Sequence, residues 1–265
     1  MEKFQLVQPS KLLRPYVKQY WFLAIDNAER SSQRYVPSGC AVLAFHRGDK
    51  IYSTLHQEMQ PRSSLCGQSV SYTDVVYSGN LNLVMVVFQP VAARVVLGIP
   101  MNNLRDKNVD VELLGDASLI ELEKWIMETE DNNQCVYLIE QYLLKKLYGF
   151  TSERFARMNA VVQSINNGQQ DITELSQSAC LGYKQFKRVF AEYTGLNPKE
   201  FLQIARFRNA LHCLHAGSQI RLNQLAYDWG YCDKSHLIKD FKTFMGYTPK
   251  EYLSTVSYTH LTLPT

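Results

Sequence analysis

Two heptapeptides, GLNPKEF (Gly195–Phe201) and GYTPKEY (Gly246–Tyr252), begin 51 positions apart. Glycine accepts the left-handed backbone conformation that ends a helix. Two residues later comes Asn or Thr, then Pro and, after a Lys, Glu. That order is a helix start: a capping side chain, proline at the first helical position, and a glutamate that reaches back to the cap. Each phrase therefore predicts one helix ending and the next beginning almost at once. Its repetition predicts a duplicated helical unit, and no other feature narrows the fold as far.

The surrounding periodicity agrees. Phe155, Met158, Val162 and Ile165 follow a helical spacing that stops at Asn166-Asn167-Gly168. Asp171 and Glu174 predict a capping box for a short helix with Ile172, Leu175 and Ala179 inside. Gly182 permits a turn, and a helix over about 183–193 buries Phe186, Val189 and Phe190. A strut helix of roughly 19 residues, about 28 Å long, runs from Pro198 to about Ala216 and stops at Gly217. The pattern then restarts with Leu222, Leu225 and Trp229, a turn at Gly230, an Asp233 cap, and Leu237, Phe241 and Phe244 inside. Phe190 pairs with Phe241 and Phe186 with Leu237 at offset 51, whereas Ile172 pairs with Leu222 at offset 50. One extra residue therefore belongs to the second turn. Two copies are too few for a solenoid. They fit two helix-turn-helix units braced by one helix.

The outer face of the first unit's second helix carries Lys184, Lys187 and Arg188 at i, i+3 and i+4, which places them side by side. Residues 151–265 carry 13 Lys/Arg against 9 Asp/Glu, while residues 1–150 carry 15 against 16. The basic balance sits in the duplicated half, as a polyanion partner would require. One recognition helix reads only a few base pairs in a major groove. Two held about one DNA turn apart (~34 Å) read successive grooves.

The segments LSQSACLGYKQFKRVFAEYTGLNPKEF, FLQIARFRNALHCL and LNQLAYDWGYCDKSHLIKDFKTFMGYTPKEY together resemble the DNA-binding module of the AraC/XylS family of bacterial transcription regulators. The resemblance implies that Lys184, Lys187 and Arg188 face DNA in the first unit and Lys234, Ser235, Ile238 and Lys239 in the second. Departures from the family pattern are Gly182 at a usual Ser/Thr cap, Lys239 at a usual Arg, and Tyr231 and Leu237 at usual phenylalanines. Lysine lacks the two-pronged fit of arginine to guanine.

Ahead of Thr151 the texture changes. YVPSGCAVLAFHRG and NLNLVMVVFQP read as strands bounded by turn residues. From about Val111 the spacing turns helical, with Leu119, Leu122, Trp125 and Ile126, then Val136, Ile139, Leu143 and Leu147. LLRPYVKQYWF, YVPSGCAVLAFHRGD, LCGQS and VVFQPVAARVVLGIPMNNL resemble an N-terminal domain found ahead of AraC-type modules. In many members this is a cupin-like barrel that binds an effector or dimerises. The expected fold class is α+β and multidomain, with an N-terminal mainly β (cupin-like barrel or sandwich) domain closed by helices and a C-terminal all-α double helix-turn-helix domain. The expected divisions are 1–150 (β-rich to about 110, helical over 111–148), 151–255, and a tail, 256–265. The 119–147 helices can either form a dimer seam or cover the barrel. Arg34, Tyr35 and Gln68 are polar candidates for an effector pocket.

Six cysteines at 40, 66, 135, 180, 213 and 232 form no CxxC, so free thiols in a reducing cytoplasm are expected. The apolar run LVMVVFQPVAARVVLGIP is broken by Gln89, Pro90 and Arg94, so no membrane span is expected. His212 and His215 make an HxxH but lack a further ligand, and His56-Gln57-Glu58 lacks the PCxxC of zinc deaminases. His46 and His56 alone do not make a cupin metal cluster. Neither metal nor cofactor is expected. The partners implied are double-stranded DNA, a small-molecule effector, RNA polymerase if the protein is an activator, and a second copy in the case of a homodimer. The rival is an enzyme of the DNA-alkylation response that carries the same module, and it needs a clustered-cysteine zinc site. Finally, VSYTHLTLPT (Val256–Thr265) back-translates without mismatch to GTC TCT TAT ACA CAT CTG ACG CTG CCG ACG, which resembles a transposase-based sequencing adaptor. It is expected to be a read-through scar, with the natural chain continuing differently past Thr255.

Overall fold

The computed structural model describes residues 2–215 and 222–256. The end of the strut at Ala216 and Gly217 and the tail from 257 onward lie outside the described residues.

The first half is one bent antiparallel sheet. Its strands are β1 (Glu2–Val7), β2 (Val17–Tyr35), β3 (Val42–His46), β4 (Tyr52–Ser53), β5 (Glu58–Met59), β6 (Ser63–Cys66), β7 (Thr73–Phe88) and β8 (Asn108–Asp110). They run in the order β1-β2-β7-β3-β6-β8, with β4 pairing β5 and the early part of β7. The long β2/β7 hairpin slips register between Ile25 and Ala28 and again between Ala28 and Ser31, and such irregularities bend strands.

Both faces of this sheet are apolar, and the period of two divides them. On β3 and β7, Leu43, Phe45, Val84, Val86 and Phe88 face helices α2 (Ala117–Glu128) and α3 (Asn132–Leu147). Those helices contribute Leu119, Leu122, Ile126, Ile139 and Leu143 to the same cluster. The helices thus cover the sheet. Trp125, which shares the helical spacing of Leu119, Leu122 and Ile126, is 52% exposed. The inner stripe of α2 is completed by Leu119, Leu122 and Ile126, which turns Trp125 to the outer side. On the opposite face of the sheet, Leu23, Ala44, Leu83 and Met85 belong to a separate cluster.

The second half is helical. A short helix α1 (Ala93–Leu97) precedes α2, and α4 (Glu153–Asn166), α5 (Ile172–Ser178), α6 (Tyr183–Thr194), α7 (Pro198–His215), α8 (Leu222–Asp228), α9 (Lys234–Met245) and α10 (Pro249–Val256) follow α3. The α5–α6 turn occupies residues 179–182 and the α8–α9 turn residues 229–233, so the extra residue falls in the second turn as the offsets require. The strut α7 enters both units through aromatic side chains. Phe201 meets Phe190 edge-on at 5.4 Å between ring centroids, and Phe207 meets Phe241 at 5.0 Å and Phe244 at 5.2 Å. One core therefore runs through both units. It also takes in Val91 and Ala92 from the first half, and Tyr16 stacks on Phe155 at 5.2 Å.

One predicted cap differs. Asp171 caps α5 by accepting from the Thr173 and Glu174 amides, but Glu174 does not return to the Asp171 amide. Gln169 Oε1 accepts from that amide at 2.9 Å, and the Glu174 carboxylate instead accepts from Gln169 Nε2. A nearby amide has taken over half of the box.

Phe207→Ala removes the side chain that ties the strut to the second unit. It is expected to cost about 3–5 kcal/mol in urea unfolding of the full chain, while Tyr227→Ala, at an 81% exposed position, stays within about 0.5 kcal/mol.

Candidate nucleic-acid interface

The two repeated phrases form the same joint. Gly195 and Gly246 take φ of +83° and +78°, and their amides donate to Ala191 O and Lys242 O, closing α6 and α9. The next helices begin with reciprocal caps. Glu200 N donates to Asn197 Oδ1 at 3.1 Å and Asn197 N to Glu200 Oε2 at 3.0 Å. Likewise Glu251 N donates to Thr248 Oγ1 at 3.2 Å and Thr248 N to Glu251 Oε2 at 2.7 Å.

Between turn and joint lie α6 and α9, each 12 residues long. On α6, Phe186, Val189 and Phe190 are buried, while Lys184, Lys187 and Arg188 are exposed together. Lys187 Nζ lies 5.6 Å from the centre of the Tyr183 ring. Arg188 is engaged within its own helix, donating to Glu192 Oε1 at 2.7 Å. An exposed i,i+4 pair is worth only about 0.3–0.5 kcal/mol, so this contact yields readily to a stronger anion. Gly182 starts α6 without a side-chain cap, whereas Asp233 caps α9 by accepting from His236 N at 2.8 Å. On α9, Lys234, Ser235 and Lys239 are exposed and Ile238 is half-buried, while Leu237 and Phe241 face the core. All seven residues expected at the interface thus lie off the cores of the two helices, and Ile238 stands at the edge.

Behind α9, Arg206 of the strut donates to Gly230 O at 3.1 Å, and its guanidinium lies 5.3 Å from the centre of the Tyr231 ring. Asp240 is buried nearby, and burial pushes its carboxyl above the usual range.

The sheet domain holds both joints. At the second, Arg34 makes a two-pronged pair with Asp74, at 2.6 Å on each prong, and donates to the last carbonyl of α9, Met245 O, at 2.9 Å. Its guanidinium lies 4.1 Å from the ring centre of Tyr72 and 4.7 Å from that of Tyr247. A Cβ on Gly246 would come within 2.5 Å of Arg34 Nη1. At the first, Arg105 donates to Glu200 Oε2 at 3.0 Å and pairs with Oε1 at 2.7 Å, gripping the capping carboxylate itself. A Cβ on Gly195 would lie 3.2 Å from both Gln68 Cγ and Met101 O. The sequence marks these glycines and caps but not their partners on the sheet domain, because Arg34 and Arg105 stand in no motif.

Between the open face of the sheet and the second unit lies a cavity of about 780 Å³. Trp21, Leu83 and Met85 line it on one side, and Met245, Tyr247 and Tyr252 on the other. Arg34, Tyr35 and Gln68 all border it, but the Arg34 guanidinium is already committed to Asp74 and Met245. His215 stacks on Tyr252 and hydrogen-bonds its hydroxyl through Nε2, which commits one imidazole of the HxxH. Among the described residues no group of three or more His, Cys, Asp or Glu is placed to hold a metal, and no helix is long and apolar enough to cross a membrane.

Residues 5–110 match the family described as "Domain of unknown function (DUF6597)", and residues 175–255 match one described as "Helix-turn-helix domain". An "Uncharacterized HTH-type transcriptional regulator" of Haemophilus influenzae is 26% identical over 140 residues, which is 51% of this chain and 47% of that protein. The matched stretch thus spans about half the length of that relative. Among solved structures, ToxT from Vibrio cholerae O395 superposes with a TM-score of 0.46 at 14% identity, covering 97% of this chain and 99% of that one. The DNA-binding domain of AdpA, solved with a target DNA, gives a TM-score of 0.36 at 21% identity, covering 40% and 94%.

Arg34→Met is expected to release the second joint. Hydrogen exchange at the Gly246 amide should rise by roughly tenfold, in line with the ~1.5 kcal/mol of a charged hydrogen bond, while exchange at Phe190 stays unchanged. Equal protection of Gly246 in both proteins would show that the grip carries no energy.

Proposed function

We propose that this protein, whose C-terminal region is an AraC-type helix-turn-helix domain behind a DUF6597 domain, is a sequence-specific DNA-binding transcription regulator. The observation that carries the reading is the pairing of α6 and α9, two equivalent helices on one strut, each with polar and basic side chains off its buried face. In this reading α6 and α9 enter successive major grooves. Lys184, Lys187 and Arg188 meet DNA from the first helix, and Lys234, Ser235, Ile238 and Lys239 from the second. Arg188 exchanges Glu192 for a base or phosphate, a trade favoured because a good base contact is worth about 1–3 kcal/mol against the weak intrahelical pair. Lys239 serves best as a phosphate contact, since a lysine presents a point charge.

The sheet domain biases this engagement by holding each recognition helix at its joint, through Arg105 on the first unit and Arg34 on the second. A signal received in that domain would reach both helices through these contacts. The division into a sensing domain over 1–150 and a DNA-binding domain over 151–255 is functional rather than a break in packing, because Val91 and Ala92 share the helical core. The enzyme alternative needs a cluster of cysteines. The six cysteines are all free thiols and stand apart in sequence, which favours the regulator.

Fluorescence anisotropy on a selected duplex and on a random one tests the reading. Specific binding should weaken steeply with salt, by a logarithmic slope of about 0.9 for each phosphate neutralised. Arg188→Ala should lose about 1–3 kcal/mol on the selected site and narrow the preference over random DNA. Lys184→Ala and Lys239→Ala should lower the salt slope by about one each. Equal binding of both duplexes at every salt concentration would end the regulator reading.

A further inference from the structure

The turn that leads into α9 is held from two sides. Arg206 of the strut donates to Gly230 O at 3.1 Å. Gln170, in the loop between α4 and α5, packs so closely on Gly230 that a Cβ there would come 2.0 Å from its Nε2 and 2.6 Å from its Oε1. Gln170 belongs to the first unit. Its backbone is fixed there, because Gln169 Oε1 accepts from the Gln170 and Asp171 amides at 2.7 and 2.9 Å, and Asp171 caps α5. The contact therefore joins the two units directly, beside the strut. Ile165 and Gly168 at the end of α4, Gln170, Arg206 and Trp229 border one cleft of about 10 Å³. That is about the room of a single water, so this is a closed seam and not a ligand site.

The duplication supplies a control. At offset 50, Gly230 stands where the first turn has Cys180. The two turns follow one backbone path. The Cys180 amide donates to Gln177 O at 2.9 Å and the Leu181 amide to Ser176 O at 3.1 Å, while the Gly230 amide donates to Tyr227 O at 3.1 Å and the Tyr231 amide to Ala226 O at 2.9 Å. Cys180 takes a φ of +54° and Gly230 one of +70°. The left-handed conformation thus accepts a side chain at this point of the turn, although at a cost. At Cys180 that side chain is exposed, whereas at 230 it would occupy the place of the Gln170 amide. The glycine serves the contact between units as well as the turn.

The seam also holds a particular end of α9. The strut's aromatic contacts grip the second half of that helix, at Phe241 and Phe244. The turn feeds its first half, where Lys234, Ser235 and Ile238 stand, and a recognition helix meets base edges mainly through its N-terminal residues. A helix about 18 Å long that is held at both ends cannot rock about one of them.

We propose that Gln170 and Arg206 are positioning residues that lock the second turn to the first unit and the strut, and so fix the separation at which the two half-sites are read. The lock itself is a property of the helical units, and its consequence for DNA rests on the regulator reading above.

The test uses the full chain and three duplexes: the selected site, and the same site with one base pair added or removed between the half-sites. One base pair moves a half-site by about 3.4 Å along the duplex. In anisotropy the parent chain should bind the altered spacings at least tenfold more weakly than the selected one. Gln170→Ala with Arg206→Met should narrow that penalty to below threefold, whereas a merely structural loss would weaken all three duplexes alike and keep the ratio. Gln170→Met, which preserves the length of the side chain, should keep the parent ratio. The Gln170→Ala single variant changes an exposed position and should move the ratio in the same direction if the double variant fails to fold. A second readout needs no DNA. Cys180 and Cys232 are exposed, one in each turn, and carry spin labels in a chain with Cys66→Ser and Cys213→Ser. The distribution of label separations should be at least twice as wide with Gln170→Ala and Arg206→Met as without them. Equal widths, a penalty that stays tenfold in the variants, or a parent chain that binds all three spacings alike overturns the proposal. A parent chain that shows no preference for the selected site over random DNA overturns the regulator reading, and the label widths still decide the lock.

Discussion

Each recognition helix ends on a glycine in the left-handed backbone region, and much of the structure is organised around that fact. A residue with a Cβ would be strained there and, at Gly246, would also collide with Arg34 and Tyr72. The missing side chain lets the chain reverse into the next capped helix and lets the sheet domain approach the joint closely. Packing then makes the two joints one object, because Phe201 and Phe207 of the strut lock into the two units. Moving one joint relative to the other requires disturbing that aromatic core.

The sheet serves two purposes because its strands are apolar on both faces. One face is filled by α2 and α3 and makes an ordinary core. The other carries Leu23, Ala44, Leu83 and Met85 toward a space that the second unit closes only in part. The cavity is bounded by both halves of the chain, with Trp21, Leu83 and Met85 on one side and Met245, Tyr247 and Tyr252 on the other.

Much of the helical half was legible in the chain. The spacing of Phe186, Val189 and Phe190, the glycines, and the Asn-Pro-Lys-Glu and Thr-Pro-Lys-Glu caps are local signals, each set by interactions within four residues. Even the extra residue in the second turn followed from the change of offset. The misses had equally physical causes. Trp125 shares the helical spacing of Leu119, Leu122 and Ile126 but stands on the outer side of α2, because periodicity alone does not say which of these the neighbouring layer accommodates. Glu174 lost its place in a capping box to Gln169, a competition between two side chains that a motif does not weigh.

What the sequence determined by itself was the duplicated unit, its helix boundaries and the positions that face away from its core, because these depend on backbone preference and short-range capping. What only the tertiary structure decided was which distant residues meet the joints. Arg34 and Met245 are 211 positions apart and Arg105 and Glu200 are 95 apart. Contacts at such separations depend on how whole layers dock, and no local pattern encodes them. The same holds for the cavity, whose lining on β2, β3 and β7 looks like core in the sequence. It is open space because the second face of the sheet meets a helical unit that does not fill it.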